Sequence, residues 1–339
     1  MLKFPPFATT AMGIMPHTNI DEAISLALTL DIPFFPELPK LSFYEDMYAQ
    51  ASQNFPGILI DQEKEKIILD TDVFGTELLD FLEKAESSPE LFDLTHPYSL
   101  TYEKFLAQDL SGYPAIRGQL IGPISYGLKI TDKNLTPILY NDEIKEFLFY
   151  FLAKKANIMY QKLQQKNNQA FIWFDEPGLE FIFNSFSGYP NHKAHSEYLS
   201  FLSQIEGPKG VHLCGNPDWS FLLTMPLEIL SLDVFTNGPI FKLYTNEIAT
   251  FLERGAVIVW GIVPTWEGVA ENETSNSLFL LMKELIEDLI SRGINREMLL
   301  FQSALSPARC SLVNKDETLV TRAFQITNRV KDLLRNYFL

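Results

Sequence analysis

Positive charge is scarce in this chain: 27 lysines and arginines stand against 43 aspartates and glutamates, a net charge of −16. That deficit argues against binding nucleic acid by counterion release, and an anionic membrane surface would repel the chain as well. Cysteine is scarcer still. The two present, Cys214 and Cys310, cannot build a disulfide framework and are read instead as packing residues or metal ligands. No apolar run approaches the ~20 residues that cross a bilayer. The first six residues, Met-Leu-Lys-Phe-Pro-Pro, lack the apolar stretch of a secretory signal, so a cytoplasmic protein is expected. Low-complexity tracts, short repeats and Gly/Ser linkers are missing too. With 46% hydrophobic residues available for a core, the expectation is one domain over residues 1–339.

What the chain does contain is alternation. Short apolar or β-branched runs at 7–14, 32–36, 115–120, 170–174, 210–214, 229–235, 256–263 and 298–303 are separated by segments of helical period. One such segment starts at Asn141 or Asp142 and repeats apolar residues through Ile144, Phe147, Leu148, Phe151, Leu152 and Met159. Another carries Leu278, Leu281, Leu285 and Leu289 and ends at Gly293, a left-handed cap. Strand followed by helix, repeated, is the pattern of a parallel sheet, and eight units predict an α/β fold of the (β/α)8 barrel type. An open doubly wound sheet is disfavoured because the first turn, Gly13-Ile14-Met15-Pro16-His17, has no glycine pattern for a dinucleotide pyrophosphate. The interval 61–109 is too long for a simple strand connection and reads as a helical insertion over one mouth.

In such a barrel, chemistry gathers where strands end. The polar residues at those places are Gly13 and His17, Glu37, Asp175 with Glu176, His212 with Cys214, and Cys310. His212 and Cys214 are two apart on a strand, so the pleat turns both to the same side, as a chelate requires. The competing reading is a buried cysteine beside a hydrogen-bonded histidine. Cys310, after the last strand, favours the chelate, because His212, Cys214 and Cys310 would be three soft ligands with a fourth position open, the pattern of catalytic zinc. A substrate thiol suits that position, since zinc holds a thiol as the nucleophilic thiolate.

These residues resemble the catalytic barrel of cobalamin-independent methionine synthases and the related uroporphyrinogen decarboxylase-like methyltransferases, the short core methionine synthases most of all. The segment 9–17, Thr-Thr-Ala-Met-Gly-Ile-Met-Pro-His, is similar to the family's opening strand and turn. The resemblance implies that Met12 and Gly13 offer backbone groups to an amino-acid carboxylate. Glu37 in Pro36-Glu37-Leu38-Pro39 and Asp175 in Asp175-Glu176-Pro177 resemble the acidic residues that face the acceptor's amino group. Val211-His212-Leu213-Cys214-Gly215 and Ser306-Pro307-Ala308-Arg309-Cys310 resemble the two zinc segments. The implied activity is thiol S-methylation, with homocysteine giving methionine.

Three departures redirect the methyl donor. Asn237 or Gly238 stands where methionine synthases carry a glutamate ligand, which leaves Asp233, water or another rim carboxylate as fourth-ligand candidates. Val263 stands near the family's general-acid histidine, and the segment 122–127 has no match for the tryptophan that stacks on folate. A methylated corrinoid, such as methylcobalamin or a corrinoid protein, is then the more coherent donor, because cobalt leaves without protonation. Transfer to another thiol, and a non-catalytic barrel that keeps the metal or corrinoid interface, are the alternatives. Porphyrinogen decarboxylation ranks low, since residues 1–19 contain no arginine.

Overall fold

The computed structural model describes residues 2–183, 187–189, 191–266, 269–309 and 316–339. Seven parallel strands form one curled sheet. They are β1 (Ala8–Thr9), β4 (Ile116–Ile121), β6 (Ala170–Asp175), β7 (Lys209–Leu213), β8 (Ile229–Asp233), β9 (Val257–Val263) and β10 (Ser303–Pro307), in the spatial order β1-β10-β9-β8-β7-β6-β4. Alternation sorts their side chains into two cores. Ala8, Phe171, Trp173, Ile229, Val257, Val259 and Ala304 form an interior cluster, whereas Ile172, Phe174, Val211, Leu230, Leu232 and Ile258 pack outward against the helices. Strands buried on both faces are what a helix-covered parallel sheet demands, and they explain why the runs are apolar throughout.

The expected eighth ladder is not formed. Between the edges β1 and β4 lies the segment 32–37, which forms no ladder with either and makes isolated parallel bridges, Glu37 with Ile14 beyond β1 and Phe34 with Arg117 on β4. The reason is covalent. Pro33 and Pro36 have no amide N–H, so a continuous ladder lacks donors there. The backbone contacts that remain are Ile32 N–H to Thr9 O (2.9 Å), Arg117 N–H to Pro33 O (3.1 Å), Glu37 N–H to Gly13 O (2.8 Å) and Met15 N–H to Glu37 O (2.9 Å).

A second correction concerns the last run. The apolar pattern predicts a strand at 298–303, but Arg296–Phe301 is a helix and β10 starts at Ser303. Asn295 caps that helix by accepting from Met298 N at 3.0 Å, and Met298-Leu299-Leu300-Phe301 has no β-branched residue to oppose it. The long helix Asp142–Gln164 begins as expected, with Asn141 Oδ1 accepting from Glu143 N and Ile144 N. Ser275–Ser291 ends before Gly293 at φ +102°, and no helix among the described residues is long and apolar enough to span a membrane.

The interval around 61–109 is not purely helical. β2 (Ile58–Asp61) and β3 (Lys66–Leu69) pair as an antiparallel hairpin, and β5 (Thr131–Asp132) lies parallel to β3. Helices Thr71–Ala85 and Leu100–Leu106 come after the hairpin. Phe55, Phe74, Phe81 and Phe92 interlock with Phe147 and Phe151, which fastens this region to the face of helix Asp142–Gln164.

At the end of β10 the register with β9 shifts between Ser306 and Pro307. A bulge of this kind bends a strand end and re-aims the side chains beyond it. Gly261 makes it possible: a Cβ there would lie 2.5 Å from Leu232 O and 3.0 Å from Ala308 Cα. Because those obstacles are backbone, Gly261→Ala is expected to destabilise the fold by about 1–3 kcal/mol, read as a lowered urea midpoint at unchanged slope.

Candidate functional site

The interior cluster gives way to polar groups toward the carboxyl ends of the strands. Arg117, fully buried on β4, stacks its guanidinium over Trp173 at 3.7 Å and Phe34 at 4.6 Å. It donates to Thr10 Oγ1 (3.1 Å), Gln119 Oε1 (2.9 Å) and Ala11 O. Gln119 in turn donates to Phe35 O at 2.7 Å. Burial lowers the Arg117 pKa to about 9, opposed by the charges of Asp175 and Glu37.

Glu37 and Asp175 therefore share this interior with a cation, yet neither has its oxygens fully satisfied. Both Glu37 oxygens and Asp175 Oδ1 are buried without a hydrogen-bond partner. Burial raises the Glu37 carboxyl well above its ordinary range, and the Asp175 charge raises it further. Burial raises Asp175 too, against the pull of His212 and Arg117. Unsatisfied buried carboxyl groups are costly, and in native structures they mark places completed by water or an ion, or sites with a catalytic role. The Arg117 hydrogen bonds go to neutral acceptors, so it acts on the two acids only as a buried charge.

His212, on β7, is the register partner of Asp175 on one side and Ser231 on the other. Its ring stacks on Trp173 at 5.5 Å, its Nδ1 lies 2.9 Å from Ser231 Oγ, and its Nε2 is buried without a partner. Cys214 follows the last residue of β7, close enough for its charge to raise the Asp175 carboxyl. The structure thus brings Glu37, Asp175, His212 and Cys214 to one place. Cys310 lies outside the described residues, and no group of three or more His, Cys, Asp or Glu residues is arranged as a metal site among the described ones. The donor chemistry of His212 still fits a metal, since one nitrogen is held by a neighbour and the other is bare.

The other expected residues lie nearby or at neighbouring strand ends. Met12 is buried in the interior cluster. Gly13 accepts from Glu37 N through its carbonyl, and a Cβ there would sit 2.3 Å from Gln119 Nε2. His17 is buried, and burial lowers its pKa. Asp233, a fourth-ligand candidate, already has both oxygens engaged: Oδ1 caps the next helix at Thr236 N, and Oδ2 pairs with Arg309 Nε at 2.6 Å. Asn237 donates to Gly215 O at 3.0 Å, bracing the chain just after Cys214. Arg117 is foreseeable from the sequence only as an ion-pair partner for Glu37 and Asp175, and sequence reasoning misses Gln119 and Ser231 as parts of the site. The available signal is their polarity at alternate, inward positions of otherwise apolar runs.

Glu176 turns away from this cluster. It accepts from Ile124 N, Ser125 N and Ser125 Oγ, which caps the helix Pro123–Lys129.

No protein-family model and no curated protein sequence matches the chain. Its fold is shared with solved structures. A B12-independent methionine synthase from Shewanella sp. W3-18-1, in complex with selenomethionine, superposes with a TM-score of 0.57 at 14% identity, covering 98% of each chain. A methyltransferase from Methanosarcina mazei gives 0.56 at 15% identity, covering 99% of this chain and 95% of its own. The likeness is one of fold. It runs the length of the chain.

Burial holds Glu176 at about 7, above its ordinary 4.5. The folded protein then keeps a proton that the unfolded chain loses, so this contribution is complete below pH 4.5 and is lost as pH rises through about 7. The urea-unfolding free energy is expected to fall across that window, and Glu176→Gln to make the fall shallower.

Proposed function

We propose that the protein is a methyltransferase that places a methyl group on the sulfur of a small thiol, with homocysteine as the acceptor that its charges suit best. The observation that carries this reading is the set of unpartnered atoms on Glu37, Asp175 and His212 in one buried interior. Two acidic groups beside a single buried arginine leave an excess of negative charge when both ionise, which complements one ammonium group. The bare imidazole nitrogen, with Cys214 and Cys310, would hold zinc. That metal supplies acidity to the thiol, keeping sulfur as thiolate near neutral pH.

The chain's own residues then orient and exclude. Glu37 and Asp175 would receive the ammonium group and fix the acceptor's sulfur relative to His212. The apolar interior of Trp173, Val259 and Ile229 keeps water from the sulfur. A methylated corrinoid, bound as donor, would supply the methyl group and retain the electron pair of its carbon–cobalt bond, while Glu37, Asp175 and His212 orient the acceptor sulfur toward that carbon. No proton donor is needed for that leaving group, consistent with buried Val263 at the end of β9.

Metal analysis tests the foundation of this reading: roughly one zinc per chain is expected, falling in His212→Ala, Cys214→Ser and Cys310→Ser. Unchanged metal content in all three would refute it. Incubation with methylcobalamin and either homocysteine or 2-mercaptoethanesulfonate, monitored by the cobalamin absorbance change, separates the acceptors. Demethylation with neither thiol favours the non-catalytic metal-binding barrel.

A further inference from the structure

Ser231 sits at an inward position of β8, directly across from His212, and is fully buried. Serine hydroxyls can donate or accept, so the 2.9 Å contact with His212 Nδ1 does not by itself say which ring nitrogen carries the hydrogen. Nε2 is buried and has no partner. A cation held at Nε2 needs the lone pair there, which places the ring hydrogen on Nδ1, where Ser231 Oγ, 2.9 Å away, accepts it. Trp173 restricts the ring further, stacking with an interplanar angle of 20°. The hydrogen bond sets the ring's rotation and the stack sets its plane.

We propose that Ser231 is a positioning residue, which accepts the His212 Nδ1 hydrogen and thereby holds the Nε2 lone pair ready, before any ligand arrives, for a soft divalent cation. This rests on the reading of His212 as a metal ligand given above. It adds a residue that touches neither metal nor substrate and that no motif in the sequence marks. Partners of this kind, which engage the second nitrogen of a ligating imidazole, fix its tautomer and contribute to metal affinity.

Two measurements test it. In metal-free wild-type protein, long-range proton–nitrogen NMR of the His212 ring is expected to show the hydrogen on Nδ1; a hydrogen on Nε2 would overturn the proposal. In parallel, zinc affinity is measured by competition with a chromophoric chelator. Ser231→Ala is expected to weaken binding about 10–100-fold, and Ser231→Thr, which keeps the hydroxyl, to restore it. Wild-type affinity in Ser231→Ala while His212→Ala loses zinc would overturn the role of Ser231 and leave the function above standing. Wild-type affinity in His212→Ala as well would remove the metal ligand itself, and this inference with it. The NMR measurement needs no substitution, so a variant that fails to fold does not shield the proposal.

Discussion

A charge without a close counter-charge organises this interior. Arg117 is fully buried, stacked between two aromatic rings, and bonded to neutral acceptors on Thr10, Ala11 and Gln119. The opposite charges of Glu37 and Asp175 act on it through space. Burying a cation this way is unfavourable unless something answers it, and two carboxyl groups at the strand ends do. Those carboxyl groups are in turn kept short of partners. The resulting stack of aromatic, cation and acids runs from the apolar half of the interior to the end where ligands enter in folds of this kind.

The strand-to-helix alternation could be read from the sequence because parallel strands buried on both faces are apolar throughout, and seven of the eight runs overlap strands of the curled sheet, the last by Ser303 alone. The two failures have distinct physical causes. The run at 32–36 occupies the right place, but its prolines remove the donors that a ladder needs. The last run is displaced because hydrophobicity alone does not distinguish Met298-Leu299-Leu300-Phe301 in a helix from a strand. The true strand, Ser303-Ala304-Leu305-Ser306-Pro307, has weak intrinsic preference and is held by its neighbours β9 and β1.

The site was legible in part for a related reason. Glu37, Asp175, His212 and Cys214 stand at strand ends, where an acid or a histidine is conspicuous after apolar residues. Arg117, Gln119 and Ser231 lie within strands and are polar residues facing inward, which periodicity reveals only when the two faces are scored separately. Asp233 shows the opposite limit. Its residue type and place fit a ligand, yet the ion pair with Arg309 and the cap on Thr236 N engage both its oxygens, and neither partner is adjacent in sequence to Asp233.

Glu176 gives its neighbour a property that the carboxylates of a flexible loop would not have. Its three hydrogen bonds to residues 124 and 125, with Gly178 N donating to Ser125 Oγ at 2.8 Å, clamp the backbone immediately after Asp175, while the β6 ladder to β4 and β7 clamps it before. Asp175 is thus immobilised from both sides. The ordering entropy of its main chain is spent during folding, so a group bound at Asp175 would meet an acid whose backbone is already fixed, and less of the interaction would be consumed in arranging it.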